Sequence, residues 1–338
     1  MNLGPIDVVY TWCSHNDRQW MAKRMTYADR YGLDTSGYAN NLCRYRDNDE
    51  LKYSLRSLEA YAPWFNRVHL VIDDDATPPQ WMRTDHPRLS VVRHSEIIPA
   101  EFLPCFTAMN IEHFLCFIPG LAARFLLAND DMMIGRPVNP EFFYAADGFP
   151  YVRITGKPKS RTWHPENMYQ EAIKKTIDMV ALRRKKNAVA LRKLGYRMPH
   201  HNIDAYCTED VRRCRVAYDE EIRASMPTPF HHPDNIQRIL YSYEALLDGH
   251  AHMRQARRDP FESRSWWRRL IRPSFAETLQ LVGADWRKGP RTLTKMKPAL
   301  FCFNDTQKTR EEDVAWLHLL YERMFPAESS FENARECR

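Results

Sequence analysis

The sequence predicts an α/β protein, a sheet flanked by helices with acidic residues gathered at the carboxyl ends of its strands. Three observations carry this expectation. Short apolar stretches rich in β-branched and aromatic residues alternate with stretches of helical periodicity. Two of those stretches run straight into acidic clusters, Asp73-Asp74-Asp75 and Asn129-Asp130-Asp131, and in open α/β sheets that edge is where ligands bind. Finally, 338 residues with 44% hydrophobic and 27% charged composition suffice for a full buried core. That excludes a disordered chain, a collagen-like fibre and a disulfide-framed miniprotein.

Taken in order, Ile6 to Trp12 (IDVVYTW) is a buried strand. Residues 13–46 are polar and aromatic and read as a long loop with a short helix. Asp47 to Tyr61 is a helix: Leu51, Leu55 and Leu58 recur at spacings of four and three, Asp47 or Asn48 can cap it, and Pro63 stops it. Val68 to Ile72, Leu89 to Val92 and Arg124 to Ala128 are strands, and Met109 to Phe117 is helical. Further on, residues 166–193 and 208–225 read as basic helices. Residues 234–248 read as a third, with Ile236, Ile239, Leu240, Tyr243 and Leu247 on one face. Residues 254–297, rich in Arg, Trp and Pro, show no period. An apolar stretch, Ala299 to Phe303, leads into Asn304-Asp305, and residues 311–324 form a closing helix.

Charge divides the chain into three segments. Residues 1–150 carry net −5, residues 151–300 net +14, and residues 301–338 net −3, within an overall +6. The first is expected to form the nucleotide-sugar and metal-binding half. The second is expected to be a mostly helical basic insertion, and the third to return to the active site. An acidic half suits a divalent cation and a basic middle suits an anionic partner. The run Arg183-Arg184-Lys185-Lys186 by itself reads as a solvated helix face. Glycine is scarce, eleven residues, and neither GxGxxG nor GxxxxGK[ST] occurs. Dinucleotide-binding and P-loop readings, which need glycine where backbone meets phosphate, are therefore disfavoured.

The longest apolar stretch, Phe114 to Ala128, is interrupted by Pro119 and Arg124 and is shorter than the ~20 residues of a membrane span. No signal peptide is expected from MNLGPIDVVYTW. The eight cysteines form no CxxC pair. They are expected to be reduced thiols of a cytoplasmic protein, with a few disulfides as the alternative.

Asn129-Asp130-Asp131 is the strongest chemical signal. Adjacent carboxylates repel unless a cation compensates, and Mg²⁺ or Mn²⁺ binds through one or two carboxylates plus substrate phosphates; the competing reading is a helix cap. Asp73-Asp74-Asp75 shares the topology, or is simply an acidic turn before Pro78-Pro79. The pairs His200-His201 and His231-His232 offer neutral imidazoles able to accept a proton; a zinc site with Cys207 and a purely surface location are alternatives. Arg44, Arg46 and Arg56 flank the first helix and can fork onto phosphate oxygens, or be ordinary surface charge. Asn304-Asp305 resembles a second acidic strand end that could complete a metal site, or a helix cap. Trp266-Trp267-Arg268-Arg269 could stack on sugars, meet a membrane surface or pack as core.

Several strings together resemble a known family. IDVVYTW (6–12), RDNDELKYSLRSLEAYAPW (46–64), FLLANDDMM (125–133) and CFNDT with FPAESSFE (302–306, 325–332) resemble the conserved regions of the Stealth proteins. LPCFTAMNIE (103–112) follows the family's order. RMPHHNID (197–204) and HHPDNIQ (231–237) are similar to its basic histidine segment. The resemblance implies a glycosyltransferase-A-like domain and a hexose-1-phosphate transferase. Such an enzyme takes a UDP-hexose donor, typically a UDP-N-acetylhexosamine. It transfers sugar-1-phosphate to a hydroxyl of an oligo- or polysaccharide acceptor in capsule or exopolysaccharide synthesis, and releases UMP with the help of Mg²⁺ or Mn²⁺.

By resemblance, Asp130 and Asp131 with Asn304 or Asp305 bind metal and diphosphate. Tyr10, Thr11 and Trp12 border the nucleotide, and Arg44, Arg46 and Arg56 hold phosphates. Asp73 joins the cofactor-binding residues. His201 is the general-base candidate, in a catalytic set with Asp131, Arg46 and His231. The chain departs from the family pattern at Cys13-Ser14-His15-Asn16-Asp17, at LPCFTA, and at His231, where arginine is frequent. Two other readings are a metal-dependent glycosyltransferase releasing UDP, and a non-catalytic module binding acidic glycan or nucleic acid. On the transferase reading no nucleic acid is expected. Peripheral contact with the inner face of a membrane and self-association are left open.

Overall fold

A computed structural model describes residues 3–37, 40–185, 188–256 and 277–334. The Trp266-Trp267-Arg268-Arg269 run lies outside the described residues. Eleven strands are seen among them: β1 (Ile6–Thr11), β2 (Val68–Ile72), β3 (Leu89–Arg93), β4 (Arg124–Asn129), β5 (Met132–Ile134), β6 (Tyr151–Lys159), β7 (Tyr196–Pro199), β8 (Asp204–Cys207), β9 (His252–Gln255), β10 (Thr278–Val282) and β11 (Leu300–Asn304). The central sheet has the order β3-β2-β1-β4-β8. Its first four strands are parallel, and β8 closes the edge antiparallel to β4. This is the expected α/β class.

The sequence explains why the central strands are parallel and covered. β1 and β2 are buried along almost their whole length and mostly apolar, the buried Asp7 and His69 meeting each other at 3.0 Å, as parallel strands under helices on each side must be. Alternate residues serve opposite cores. Val8, Tyr10, Leu70 and Leu126 pack with Leu51, Leu55 and Leu58 of the helix α2 (Glu50–Tyr61). Val9, Val71, Phe125 and Leu127 pack on the other face with Ile173, Val211 and Leu240, which belong to the helices Met168–Arg183, Thr208–Ala217 and Ile239–Asp248. A third core joins the small sheet β10-β11-β5 to Leu317, Leu320 and Tyr321 of the closing helix Glu311–Met324.

Several expectations shift by position. The short helix expected within the 13–46 loop is α1 (Arg18–Arg30), thirteen residues long, whose buried stripe is only Trp20, Arg24 and Ala28, and which Asp17 caps by accepting from Gln19 N and Trp20 N. α2 begins at Glu50; its N-cap is Asp49, at φ 60°, rather than Asp47 or Asn48. The long basic helix is two helices, Met168–Arg183 and Ala188–Leu194. The 208–225 segment likewise divides, into Thr208–Ala217 and Asp219–Ala224. Strands of the first 150 residues pair with β8 of the middle and β11 of the end, so the three charge segments share sheets.

The basic middle also neutralises much of its own charge. Arg183 pairs with Glu221, Arg184 with Glu244 and Asp248, and Arg223 with Glu101 and Asp219. Arg183 and Arg184 are thus ion-paired rather than merely solvated. Seven cysteines among the described residues are unpaired. No described helix is long and apolar enough to cross a membrane.

Arg56 is placed away from any ligand edge, contrary to its expected role. It is 2% exposed. Its Nε and Nη2 each donate to the Glu332 carboxylate at 2.7 Å, and Nη1 donates to Phe325 O at 2.9 Å. With its fork occupied by a buried carboxylate it has no face for phosphate. It pins residues 325–332 against α2.

Two substitutions test this framework. Arg56→Met strands the buried Glu332 and is expected to lower unfolding free energy by about 3–5 kcal/mol in urea titrations, with Arg56→Met/Glu332→Gln recovering part of the loss. Gly135, just after β5, lies under β11: a Cβ there would stand 2.5 Å from Pro298 O and 3.2 Å from the Phe301 ring. Gly135→Ala should cost roughly 1–3 kcal/mol by overpacking; an unchanged denaturation midpoint would show that the two strands are not so closely held.

Candidate active site

The site forms where the carboxyl ends of β1 and β4 meet the start of α2 and the end of β11. β4 and β5 are joined by the turn Asp130-Asp131. β5 then pairs antiparallel with β11, Met132 opposite Cys302 and Met133 opposite Phe301. Continued two steps, this register brings Asn304 beside the acidic turn. There the Asn304 Nδ2 donates both to Asp131 Oδ2 and, at 3.1 Å, to His201 Nε2.

Asn304 was expected to ligate a metal through its amide oxygen. Its Oδ1 instead accepts from Gln280 Nε2 and faces the Cys302 thiol. With donors on the oxygen side, the amide nitrogen is what meets Asp131 and His201. Asn304 therefore orients the carboxylate and the imidazole. Asp305 is also engaged elsewhere. Its Oδ1 accepts from Thr306 N at 2.6 Å and its Oδ2 lies 3.1 Å from Arg46 Nε. Arg46 further donates to Thr306 O and Thr309 O, so it fastens the 305–309 loop instead of presenting its fork to a ligand.

Four carboxylates converge on the turn. Asp130 is held well above the usual carboxylate range, by burial first and then by the charges of Glu50, Asp131 and Asp47. Burial likewise raises Asp131, Glu50 and Asp47. Glu50 is 3% exposed and accepts from Asn48 N at 2.6 Å and Asn48 Nδ2 at 2.7 Å. Among the described residues none of the four is held in an ion pair. Asp131 Oδ1 and the neighbouring Asn129 Oδ1 are buried without a hydrogen-bond partner. Buried carboxylates that lack a cation, with an unsatisfied oxygen turned inward, are the environment a hard divalent ion relieves. The residues fit Mg²⁺ or Mn²⁺ through Asp130 and Asp131, with Glu50 and Asp47 as further oxygen donors within electrostatic reach.

His201 faces this cluster. Burial, then the charges of Arg238 and Arg44, push its pKa down to about 4. It is therefore neutral at physiological pH, with its Nε2 lone pair accepting from Asn304 Nδ2. Asp131, His201 and Cys302 bring one donor atom each within 4.8 Å of one another. The cysteine beside His201 is thus Cys302, not Cys207, whose thiol points to Gly148 O. The Cys302 thiol, raised by burial, donates to His201 O at 3.4 Å.

Beneath His201 runs a buried chain of charges. His200 Nε2 lies 2.9 Å from Asp204 Oδ1, and Arg238 pairs with both Asp204 Oδ2 and Glu112. Arg44 is exposed at the rim, where its charge acts on Asp131, His201 and His231 alike. His231 is held neutral by burial, its pKa lowered to about 3, and its Nδ1 has no partner.

Other expected positions divide. Tyr10 is a core residue, 1% exposed, with its hydroxyl 2.9 Å from Ser54 Oγ; packed between strands and α2, it cannot border a nucleotide. Thr11 is half-buried at the strand end beside Asn129. Trp12 is buried with an unpartnered indole N–H. Asp73 lies on the same sheet edge but pairs with Lys23 at 2.8 Å, so its charge is already met. Sequence reasoning missed Asp47 and Glu50 as site carboxylates and missed Asp204, Arg238 and Glu112 altogether. The available signals were the DNDE run and the i, i+4 spacing of His200 and Asp204.

The family model for Stealth protein conserved region 2 matches residues 44–152. An exopolysaccharide phosphotransferase of Streptomyces coelicolor is 34% identical over 307 residues, 89% of this chain and 47% of that protein. The capsular polysaccharide phosphotransferase LcbA of Neisseria meningitidis is 30% identical over 252 residues, 72% of this chain and 65% of that protein. The chain spans about half the length of the first of these relatives. Among solved structures, the galactosyltransferase LgtC in complex with donor and acceptor sugar analogs matches at a TM-score of 0.43 and 10% identity, over 96% of this chain and 97% of that one. With a family region spanning α2, the acidic turn and the strands between them, and relatives aligned far beyond it, the chain belongs to the Stealth protein family.

Proposed function

We propose that this chain transfers a sugar-1-phosphate, N-acetylhexosamine-1-phosphate by the family resemblance, from a UDP-sugar to a hydroxyl of a glycan acceptor and releases UMP. The fold in which it does so is taken to be glycosyltransferase-A-like. The observation that carries the reading is the single pocket edge at which unpaired carboxylates face a neutral histidine with Arg44 at the rim. Acid, base and cation come there from α2, β4, β11, the β7–β8 connection and the segment before α2. The names of the relatives support phosphotransfer in polysaccharide synthesis.

Phosphoryl transfer needs in-line placement and charge neutralisation more than covalent chemistry. Asp130 and Asp131 would hold the divalent ion, which when bound screens the diphosphate and the leaving phosphate. Arg44 adds a fixed positive charge at the mouth. The acceptor hydroxyl takes the place of the Asn304 amide at His201 Nε2, which removes its proton; that oxygen bonds to the β-phosphorus, and the bond from the β-phosphorus to the bridging oxygen breaks. The electron pair leaves on UMP. An anionic donor beside His201 counteracts the burial and cationic charges that depress its proton affinity, so the base strengthens when substrate is present. Asn304 fixes the imidazole and Asp131 in one orientation. The Asp204–Arg238–Glu112 chain holds the backbone around His200-His201. Thr11 and Trp12 border the nucleotide, and the unpartnered His231 Nδ1 is available to a phosphate oxygen.

The defining test is the nucleotide released from a UDP-hexose with Mg²⁺ and an oligosaccharide acceptor. UMP is expected, whereas UDP would assign a glycosyltransferase. EDTA should stop turnover and Mg²⁺ or Mn²⁺ restore it; a chelator-insensitive enzyme would remove the ion from the mechanism. His201→Ala should lower kcat by about 10²–10⁴-fold with the circular dichroism spectrum unchanged, and an undiminished kcat would transfer the base role elsewhere.

A further inference from the structure

A cleft of about 480 Å³ opens away from the acidic turn. Its walls are the loop that follows β6 and the first two turns of the helix Met168–Arg183. Arg161, Trp163 and His164 come from the loop; Glu171, Lys174 and Lys175 come from the helix. Lys174 pairs with Asp178 and Lys175 with Glu171 and Asp234, which leaves Arg161 as the arginine of the lining that can meet an anion. Arg161 is exposed and forms no ion pair among the described residues. The Trp163 backbone N–H donates to Ser160 O at 3.1 Å in a turn, and Lys159 Nζ stands 3.9 Å from the Trp163 ring centroid.

The cleft is tied to the site by its own walls. On the same helix, Tyr169 is packed inward, where the charges of Arg238, Asp204, Glu112 and Arg44 act on its hydroxyl. Lys175 donates to Pro233 O at 2.9 Å and pairs with Asp234 at 3.0 Å, in the segment that carries His231. One helix therefore has a face toward the candidate active site and a face toward the cleft.

We infer that this cleft is a subsite for the acceptor chain, and that it recognises a glycan already bearing phosphodiesters. The inference rests on the proposed reaction and extends it. Each transfer of a sugar-1-phosphate joins two sugars through a phosphodiester, so every cycle leaves one further negative charge on the acceptor. A growing product presents sugar faces and phosphates in alternation. An indole beside an arginine that forms no ion pair among the described residues is complementary to that pattern, the ring to the sugar face and the fork to the phosphate. A volume of this size accommodates a sugar or two, in the range of small-ligand clefts.

The experiment measures binding without turnover. Calorimetric titrations use three probes: an oligosaccharide of six N-acetylglucosamine residues joined by phosphodiesters, the neutral glycosidically linked hexamer, and a single-stranded oligonucleotide with the same number of phosphates. The phosphodiester glycan is expected to bind at least tenfold more tightly than either control. Trp163→Ala and Arg161→Ala should each raise its Kd about tenfold, the size of one lost ring or ion contact, while Trp163→Phe retains binding. Turnover on a single-sugar acceptor should be unchanged in all three variants. Equal binding by wild type and variants, or equal binding of the oligonucleotide, overturns the assignment. Intact glycan binding without any transfer would count against the proposed reaction and leave the subsite standing.

Discussion

The antiparallel pairing of β5 with β11 is the constraint on which the rest of the site depends. β5 is three residues long and follows the acidic turn directly, so it has no freedom to choose another neighbour. Seating β11 against it brings Asn304 to Asp131 and His201 in one move. The close approach at Gly135 and the aromatic packing of Phe301 and Phe303 beneath the closing helix keep that register. If β11 were displaced by one residue, its alternating faces would exchange. Asn304 would turn into the core and the histidine would lose its orienting partner.

The electrostatic arrangement is costly on its own terms. Asp47, Glu50, Asp130 and Asp131 repel one another in a partly desolvated site, and each is shifted toward its protonated form. Elsewhere the chain meets buried charge with a partner: Arg56 with Glu332, Arg238 with Asp204 and Glu112, Lys23 with Asp73. The contrast is informative. Among the described residues these four carboxylates have no ion-pair partner, so unfavourable energy is stored at one place, which is where function tends to be found.

Much of the frame was legible in the amino-acid order because it rests on local patterns. β2 and the closing helix occupy the expected residues, since a run such as VHLVI or a leucine period ending in a polar break needs no distant information. The turn Asn129-Asp130-Asp131 was legible for the same reason. The short helix expected within residues 13–46 is α1, but its bounds were not legible, because a helix lying on the surface buries only Trp20, Arg24 and Ala28 and shows almost no apolar stripe. Arg56 looked like a ligand-facing arginine next to Leu55; its partner is 276 residues away, and no local signal announces it. Asn304 was placed correctly at the acidic edge, yet its chemistry was misjudged, because which end of an amide faces inward is decided by Gln280 on another strand. The basic middle read as a surface for anions, although several of its arginines are consumed by internal carboxylates. Arg161 is one that forms no ion pair among the described residues.

The return of β11 to β5 also has a kinetic meaning. Roughly half the chain separates these neighbours, and the Arg56–Glu332 contact spans more still, so the pocket is assembled from contacts of very long range. Closing such loops is entropically slow compared with forming any single helix. Ribosomal synthesis therefore delivers the acidic turn well before the strand that completes it. Until then Asp131 and His201 lack the Asn304 amide that joins them, and the candidate site is completed late and all at once.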